Sequence, residues 1–175
     1  MLATINRIPY QITRYRFEYE TEKPTKPLRI GVDPAFRKRG FTICVLDETD
    51  EVDFRVFKNT LAFIGWALHD LPYNSIVAIE NSNLQNVTFN MGGTKQAIAK
   101  RSRDAGKNMA VSQFAHDLFV ERTKKVYNIS PKRKGKKWTD DNFVHGICRE
   151  KNWILAKKRL NQDERDAFKL LLFAV

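Results

Sequence analysis

The sequence predicts an α/β domain in which helices flank a mixed five-stranded sheet. Three short runs of β-branched and apolar residues follow one another directly, two further runs alternate with segments of helical spacing, and 42% of the 175 residues are hydrophobic. A chain of this length and composition can bury a core as one domain. We expect that domain at 28–175, after an N-terminal arm at 1–27, because Pro24 and Pro27 interrupt the pattern between them.

The five predicted strands fall into two groups. Leu28–Asp33, Phe41–Leu46 and Val52–Phe57 are joined by short turns, which favours an antiparallel meander. Ser75–Glu80 and Val126–Ile129 come later in the chain, each after a segment of helical spacing. This order of strands fits a mixed sheet.

Helical spacing of apolar residues predicts most of the remaining elements. The four predicted helices are Asn59–Asp70, Met109–Lys124, Thr139 to about Lys151, and Asp163–Val175. The polar segment Asn81–Asn108 is expected to mix loop and helix, and Pro131–Lys137 is expected to be a basic loop. The complete order of elements fits the RNase H-like fold, but it also suits other α/β domains. The choice among these folds therefore depends on the candidate catalytic residues.

The excess positive charge is concentrated in one part of the chain. The net charge is +11, and the stretch from Thr94 to Trp138 holds 13 basic and 3 acidic residues, against 18 and 17 in the rest of the chain. Such a distribution indicates a polyanionic partner, above all a nucleic acid. The candidate DNA-binding residues are Lys95, Lys100, Arg101, Arg103, Lys107, Lys132, Arg133, Lys134, Lys136 and Lys137. The alternative for any single group of them is an ordinary solvated loop.

The sequence argues against a membrane-spanning protein, a secreted protein and a zinc-binding protein. No stretch is long and apolar enough to span a bilayer, and Met1–Tyr19 lacks the continuous apolar core of a signal peptide. Cys44 and Cys148 form no CxxC pair, which argues against a zinc site and leaves a disulfide without support. We interpret them as reduced, mostly buried thiols in an intracellular protein that has no membrane partner.

Four carboxylates stand at positions where they could meet. Asp33 and Glu80 each end an apolar strand, and ligands of open α/β sheets usually bind at that edge. Asp163 and Asp166 are three residues apart in the first turn of the last predicted helix, which puts them on one face. The alternative is structural, because acids at the start of a helix often cap it and an Asp after a strand is often a turn residue.

Four acids held together would repel one another unless a cation lies among them. Carboxylate oxygens are the ligands of hard divalent ions, so we expect two Mg²⁺ ions, with Mn²⁺ able to substitute. Two such ions can stabilise the attacking and leaving oxygens when a phosphodiester is hydrolysed. A nucleophilic side chain is not required, and Ser82, His69, His116 and His145 form no recognisable triad.

Three segments resemble the motifs of RuvC-type Holliday-junction resolvases, and the resemblance covers Leu28 to Val175. Ile30–Phe41, in which Asp33 precedes Pro34 and a turn with a Gly, resembles the first motif. Val77–Glu80 resembles the second motif, which ends in Glu, and Asp163–Ala174 resembles the last, with two acids leading into an apolar run. The basic segment Ser130–Lys137 stands where this family carries lysines after its fifth strand.

The resemblance implies an endonuclease that resolves four-way branched DNA by paired nicks. The four acids would be both the catalytic residues and the metal ligands, and the protein would act as a homodimer. The predicted helix Met109–Lys124 is the candidate for part of the dimer interface, because its apolar side is wide. The expected location is the cytoplasm, in association with the nucleoid, or the host cytoplasm if a phage encodes the chain.

One departure from the family and two alternative functions stay open. The family usually offers an aromatic wedge directly after the second-motif Glu, whereas here the nearest candidate is Phe89. The first alternative is another RNase H-like nuclease, acting on flaps, RNA–DNA hybrids or terminase substrates. The second is a nucleic-acid-binding module of the same fold without catalytic activity.

Overall fold

The computed structural model describes residues 27–34, 40–84, 93–123 and 125–175. The strands are β1 (Arg29–Pro34), β2 (Phe41–Leu46), β3 (Glu51–Phe57), β4 (Ile76–Glu80), β5 (Lys125–Ile129) and β6 (Ile154–Leu155). The helices are α1 (Thr60–His69), α2 (Lys95–Arg122), α3 (Pro131–Lys134), α4 (Asn142–Glu150) and α5 (Gln162–Leu171). The predicted arm lies outside the described residues except for residue 27. None of the helices in these ranges is long and apolar enough to cross a membrane.

The strands form one mixed sheet in the order β5-β4-β1-β2-β3-β6. β1, β2 and β3 make the predicted antiparallel meander, whereas β4 pairs parallel to β1 and β5 pairs parallel to β4. The sixth strand was not predicted. It contains only Ile154 and Leu155, paired with Glu51 and Val52 of β3, and two residues are too few to show an alternating pattern.

Helices cover both faces of this mixed sheet, so the predicted α/β class is confirmed, with six strands in the described residues where five were expected. Alternate residues of a strand point to opposite faces. Ile30 and Val32 of β1 pack with Phe63 of α1 and Phe119 of α2 in the core of one face. The core of the other face holds residues of β2, β3, α4 and α5, namely Cys44, Leu46, Val52, Val144, Cys148, Ala167, Phe168 and Leu171. Both cysteines are buried free thiols.

Helix α2 differs most from its prediction. It is one helix of 28 residues, begun by the side chain of Thr94, which accepts a hydrogen bond from the Ala97 amide. Its fully buried residues, Ser112, Ala115 and Phe119, all lie in the C-terminal half. The N-terminal half falls in the segment predicted to mix loop and helix, and its full extent was not predicted because it lacks a buried apolar stripe and contains Gly106. Its stability therefore depends on continuity with the packed half and on helix propensity.

Helix α5 lies with its backbone directly on β1 at Gly31. A Cβ atom at Gly31 would overlap the Ala167 carbonyl oxygen and the Leu171 amide nitrogen. Only glycine allows two backbones to approach this closely. The contact brings the first turn of α5 close to the carboxyl end of β1, because Gly31 contacts the C-terminal part of the helix.

We predict that Gly31→Ala destabilises the protein by about 3 kcal/mol, since the added methyl group must push α5 off the sheet. Urea unfolding followed by circular dichroism measures this loss. Gly65→Ala is the matched control, because a Cβ atom at Gly65 in α1 meets nothing within 4 Å. The control should be neutral or slightly stabilising, and equal effects of the two substitutions would contradict the close contact.

Candidate active site

Asp33 and Glu80 are brought side by side by the parallel pairing of β1 and β4. Val32 lies opposite Ile79 in the register, so the next residues of the two strands, Asp33 and Glu80, are also neighbours. Val32 and Ile79 point into the core under α1 and α2. Because side chains alternate, both carboxylates point to the opposite face, towards α5.

Asp163 and Asp166 approach the same point from the first turn of α5. Both are buried. The cap of this helix is made by other residues: the Asn161 side chain accepts from the Glu164 amide, and the Glu164 carboxylate accepts from the Asn161 amide. The two aspartates are therefore not needed as the capping pair. Asp166 instead accepts a hydrogen bond from the Gln162 side chain at 3.0 Å.

All four carboxylates line one cavity of about 100 Å³, which we call the carboxylate pocket. Its other lining residues are Pro34, Ser82, Asn108, Lys134 and Lys137. Ser82 and Asn108 were not predicted as site residues, and nothing in the local sequence distinguishes them from other polar loop residues. They reach the pocket because the turn after β4 packs against α2, where Asn83 donates to the Met109 carbonyl at 3.0 Å.

Lys134 lies inside the pocket and contacts three of the four carboxylates. Its Nζ atom is 3.8 Å from Asp33 Oδ1 and 3.6 Å from Asp166 Oδ2, and it forms an ion pair with Glu80 Oε2. The side chain is only 8% exposed. The first four residues of the predicted basic loop, Pro131–Lys134, form a single helical turn, α3, which the Ser130 side chain caps and which directs Lys134 inward; the rest of the segment is not helical.

The pKa values of Asp33 and Lys134 are both raised, Asp33 chiefly by burial and Lys134 by the neighbouring carboxylates. Burial raises the pKa of Asp33 to about 7; Lys134 opposes this shift, while the other carboxylates, Glu80 first, add to it. Burial alone would lower the pKa of Lys134, but the carboxylates of Asp33, Glu80 and Asp166 outweigh burial and raise it. One ammonium group therefore does not neutralise the pocket.

The pocket offers oxygen donors that suit a hard divalent cation. Within the described ranges, however, no three acidic, histidine or cysteine side chains are arranged as a finished metal centre. The ammonium of Lys134 lies between the oxygens of Asp33, Glu80 and Asp166 and sets their present spacing. The donor chemistry of the four carboxylates fits Mg²⁺ or Mn²⁺.

The other predicted DNA-binding residues lie on two surfaces. Lys132, Arg133, Lys136 and Lys137 are exposed around α3 and after it, and Lys137 also lines the pocket. The second surface is the N-terminal half of α2, where the exposed residues are Lys95, Lys100, Arg101, Arg103 and Lys107. Lys134 differs from the prediction, since it is buried against carboxylates. Phe89 lies outside the described residues.

Arg165 fixes the start of α5 relative to the preceding loops. Its guanidinium donates to the Trp138 carbonyl at 2.9 Å, to the Leu160 carbonyl at 2.8 Å and to the Asp141 carboxylate at 2.6 Å. Because Asp163 and Asp166 belong to the same turn, this network holds their backbone in place. In the sequence, an arginine between two acids is typical of a charged, solvated helix face. The structural role of Arg165 could therefore not be predicted from this pattern.

We predict that Asp33→Asn stabilises the metal-free protein at neutral and higher pH. The pKa of the folded carboxyl is above that of the unfolded one, so this group's contribution to stability is lost as the pH rises from about 4 to about 7. The gain of the Asn variant over the wild type should be small near pH 4 and approach about 4 kcal/mol above pH 7. Urea unfolding in EDTA across this range measures it, and a difference that does not change with pH would contradict the raised pKa.

The comparisons with known proteins found a likeness among the solved structures. No family model matches the chain, and no curated protein matches it. The fold is similar to that of T. thermophilus RuvC, solved in complex with a Holliday junction substrate, at 16% sequence identity and a TM-score of 0.41. The alignment covers 84% of this chain and 91% of the T. thermophilus chain.

Proposed function

We propose that the protein is a metal-dependent endonuclease that cuts branched DNA at four-way junctions by paired nicks. The observation that carries the proposal is the convergence of four carboxylates, from β1, β4 and α5, in a single pocket. Structural needs do not account for this arrangement, because burial raises the pKa of Asp33, the neighbouring carboxylates add to that rise, and the helix cap uses other residues. Sites that sacrifice stability in this way are candidates for function.

The chemistry assigned to the pocket is hydrolysis of a phosphodiester. Asp33, Glu80, Asp163 and Asp166 would hold two Mg²⁺ or Mn²⁺ ions, which supply activation of water and neutralisation of the departing oxygen. Lys137, which is exposed at the pocket, is suited to contact a phosphate next to the one that is cut. Ser82 is not needed as a nucleophile, and its hydroxyl lies 3.4 Å from the hydroxyl of Ser112.

The two basic surfaces support DNA as the substrate because both begin at the pocket. Asn108 of α2 and Lys137 after α3 both line the cavity. Lys107 is the residue next to Asn108, and the other exposed bases of α2 continue away from the pocket along the same helix. A nucleic-acid backbone bound along either surface would therefore reach the carboxylates.

The four-way junction and the homodimer are the finer parts of the proposal. The junction is supported by the three motifs that resemble those of RuvC-type resolvases. Two cuts on opposed strands need two active sites, which a two-fold dimer supplies. On the candidate interface helix, Ala115 and Phe119 are buried in the core, whereas Phe114 and Val120 remain 39% and 51% exposed. Of the predicted apolar side of this helix, Phe114 is therefore the residue most available to a second copy.

We predict that Asp33→Asn, Glu80→Gln, Asp163→Asn and Asp166→Asn each lower the rate of nicking at least about 100-fold, because each removes a charged metal ligand. Binding to the junction should persist, since the phosphate contacts come from the basic surfaces. The measurement is nicking of a synthetic four-way junction in Mg²⁺, beside a flap, a linear duplex and an RNA–DNA hybrid.

Glu150→Gln is the control for the four carboxylate variants, because Glu150 is an exposed carboxylate at the end of α4 and should leave nicking unchanged. Paired nicks in opposite strands of the junction would support resolution. Faster cutting of the hybrid or the flap would indicate that the protein is another kind of RNase H-like nuclease. Binding without any cutting would leave only a nucleic-acid-binding module.

We also predict that a Lys132/Lys136/Lys137 triple Glu variant binds the junction more weakly and with a flatter salt dependence. Each lost phosphate contact should reduce the slope of log Kd against log salt by roughly one. Fluorescence anisotropy at several salt concentrations measures the slope. The control is Lys125→Glu, since Lys125 is exposed at the start of β5, at the edge of the sheet opposite Glu80. An unchanged slope in the triple variant would exclude this surface as a DNA contact.

A further inference from the structure

We propose that Lys134 is the resident cation of the carboxylate pocket and that a divalent metal binds only by displacing its ammonium group. This inference rests on the proposed function, in which the carboxylate pocket binds divalent metal ions. It adds that the Lys134 ammonium competes with the metal for the carboxylate oxygens. Lys134 holds Asp33, Glu80 and Asp166 together while no metal is bound, and the metal takes over the same oxygens.

The geometry makes the ammonium and the metal mutually exclusive. Lys134 Nζ is within ion-pair distance of an oxygen of each of Asp33, Glu80 and Asp166, so it lies at the point that these three side chains share. A metal bound by the same oxygens would have to stand within a few ångströms of Nζ. Two positive charges that close, in a partly buried site, repel each other strongly because little water screens them.

Three carboxylates stabilise the buried ammonium of Lys134 in the pocket when no metal is bound. Lysine is rarely buried unless it is paired, because an ammonium loses its hydration there. Here three carboxylates replace that hydration, and the ammonium in turn reduces their mutual repulsion. The nearby Lys169 does not take this place, because its Nζ donates to the Lys136 carbonyl at 2.6 Å and lies over the Trp138 ring.

The displacement requires little movement of the backbone. Lys134 is the last residue of α3, and the Ser130 side chain caps the start of that turn. A lysine carries its charge on a flexible four-carbon stem, so the ammonium can leave the oxygens while the turn stays formed. The cavity is open at Lys137, which is exposed, so a path to solvent exists.

The test measures Mn²⁺ binding by calorimetry, without DNA, in the wild type and in Lys134→Met. The neutral side chain removes the competitor and one positive charge, so Mn²⁺ should bind at least about tenfold more tightly. The variant should also have a lower Tm in EDTA and a larger rise in Tm on addition of Mn²⁺. If Lys134 were only a structural support, its loss would loosen the pocket and weaken metal binding.

The controls separate this inference from the proposed function. Lys125→Met removes an exposed lysine at the opposite edge of the sheet and should leave the Mn²⁺ affinity unchanged. Lys134→Gln gives the same readout if the Met variant does not fold. Wild type that binds Mn²⁺ and nicks DNA, with equal or weaker Mn²⁺ binding in the Lys134 variants, would overturn the competition alone. Absence of both Mn²⁺ binding and nicking in the wild type would overturn the proposed function and the competition together.

Discussion

The contact between α5 and β1 at Gly31 is the constraint on which the rest of the structure depends. It fixes the distance between a helix and the central part of the sheet at the closest value that two backbones allow. The distance between the helix-borne pair, Asp163 and Asp166, and the strand-borne pair, Asp33 and Glu80, follows from it. A larger residue at Gly31 would widen the pocket as well as weaken the core.

Electrostatics works against this packing inside the pocket. The fold forces carboxylates together at a buried place, and the rise in the pKa of Asp33 measures how unfavourable that is. The free energy that offsets the burial of these carboxylates comes chiefly from the two apolar cores on either face of the sheet. Lys134 reduces the repulsion among these carboxylates, because its ammonium lies within ion-pair distance of Asp33, Glu80 and Asp166.

Local patterns predicted the strands and their acids because the signal there is local. Asp33 and Glu80 follow directly from apolar runs, and the parallel register of β1 and β4 then makes them neighbours. The inward direction of Lys134 could not be predicted, since a run of similar lysines looks the same whichever one faces the protein. The full length of α2 was missed for a related reason, because the part that packs on the sheet is only its C-terminal half.

The unsupported half of α2 has a consequence for motion. From Lys95 to Asn108 the helix extends for about 20 Å with no fully buried residue. A helix of that length is marginal by itself, so it must grow outward from the packed half as a continuation of an existing nucleus. Its N-terminal turns are therefore the part of the helix that opens most readily. Binding of the proposed DNA to these turns should slow the exchange of their amide hydrogens.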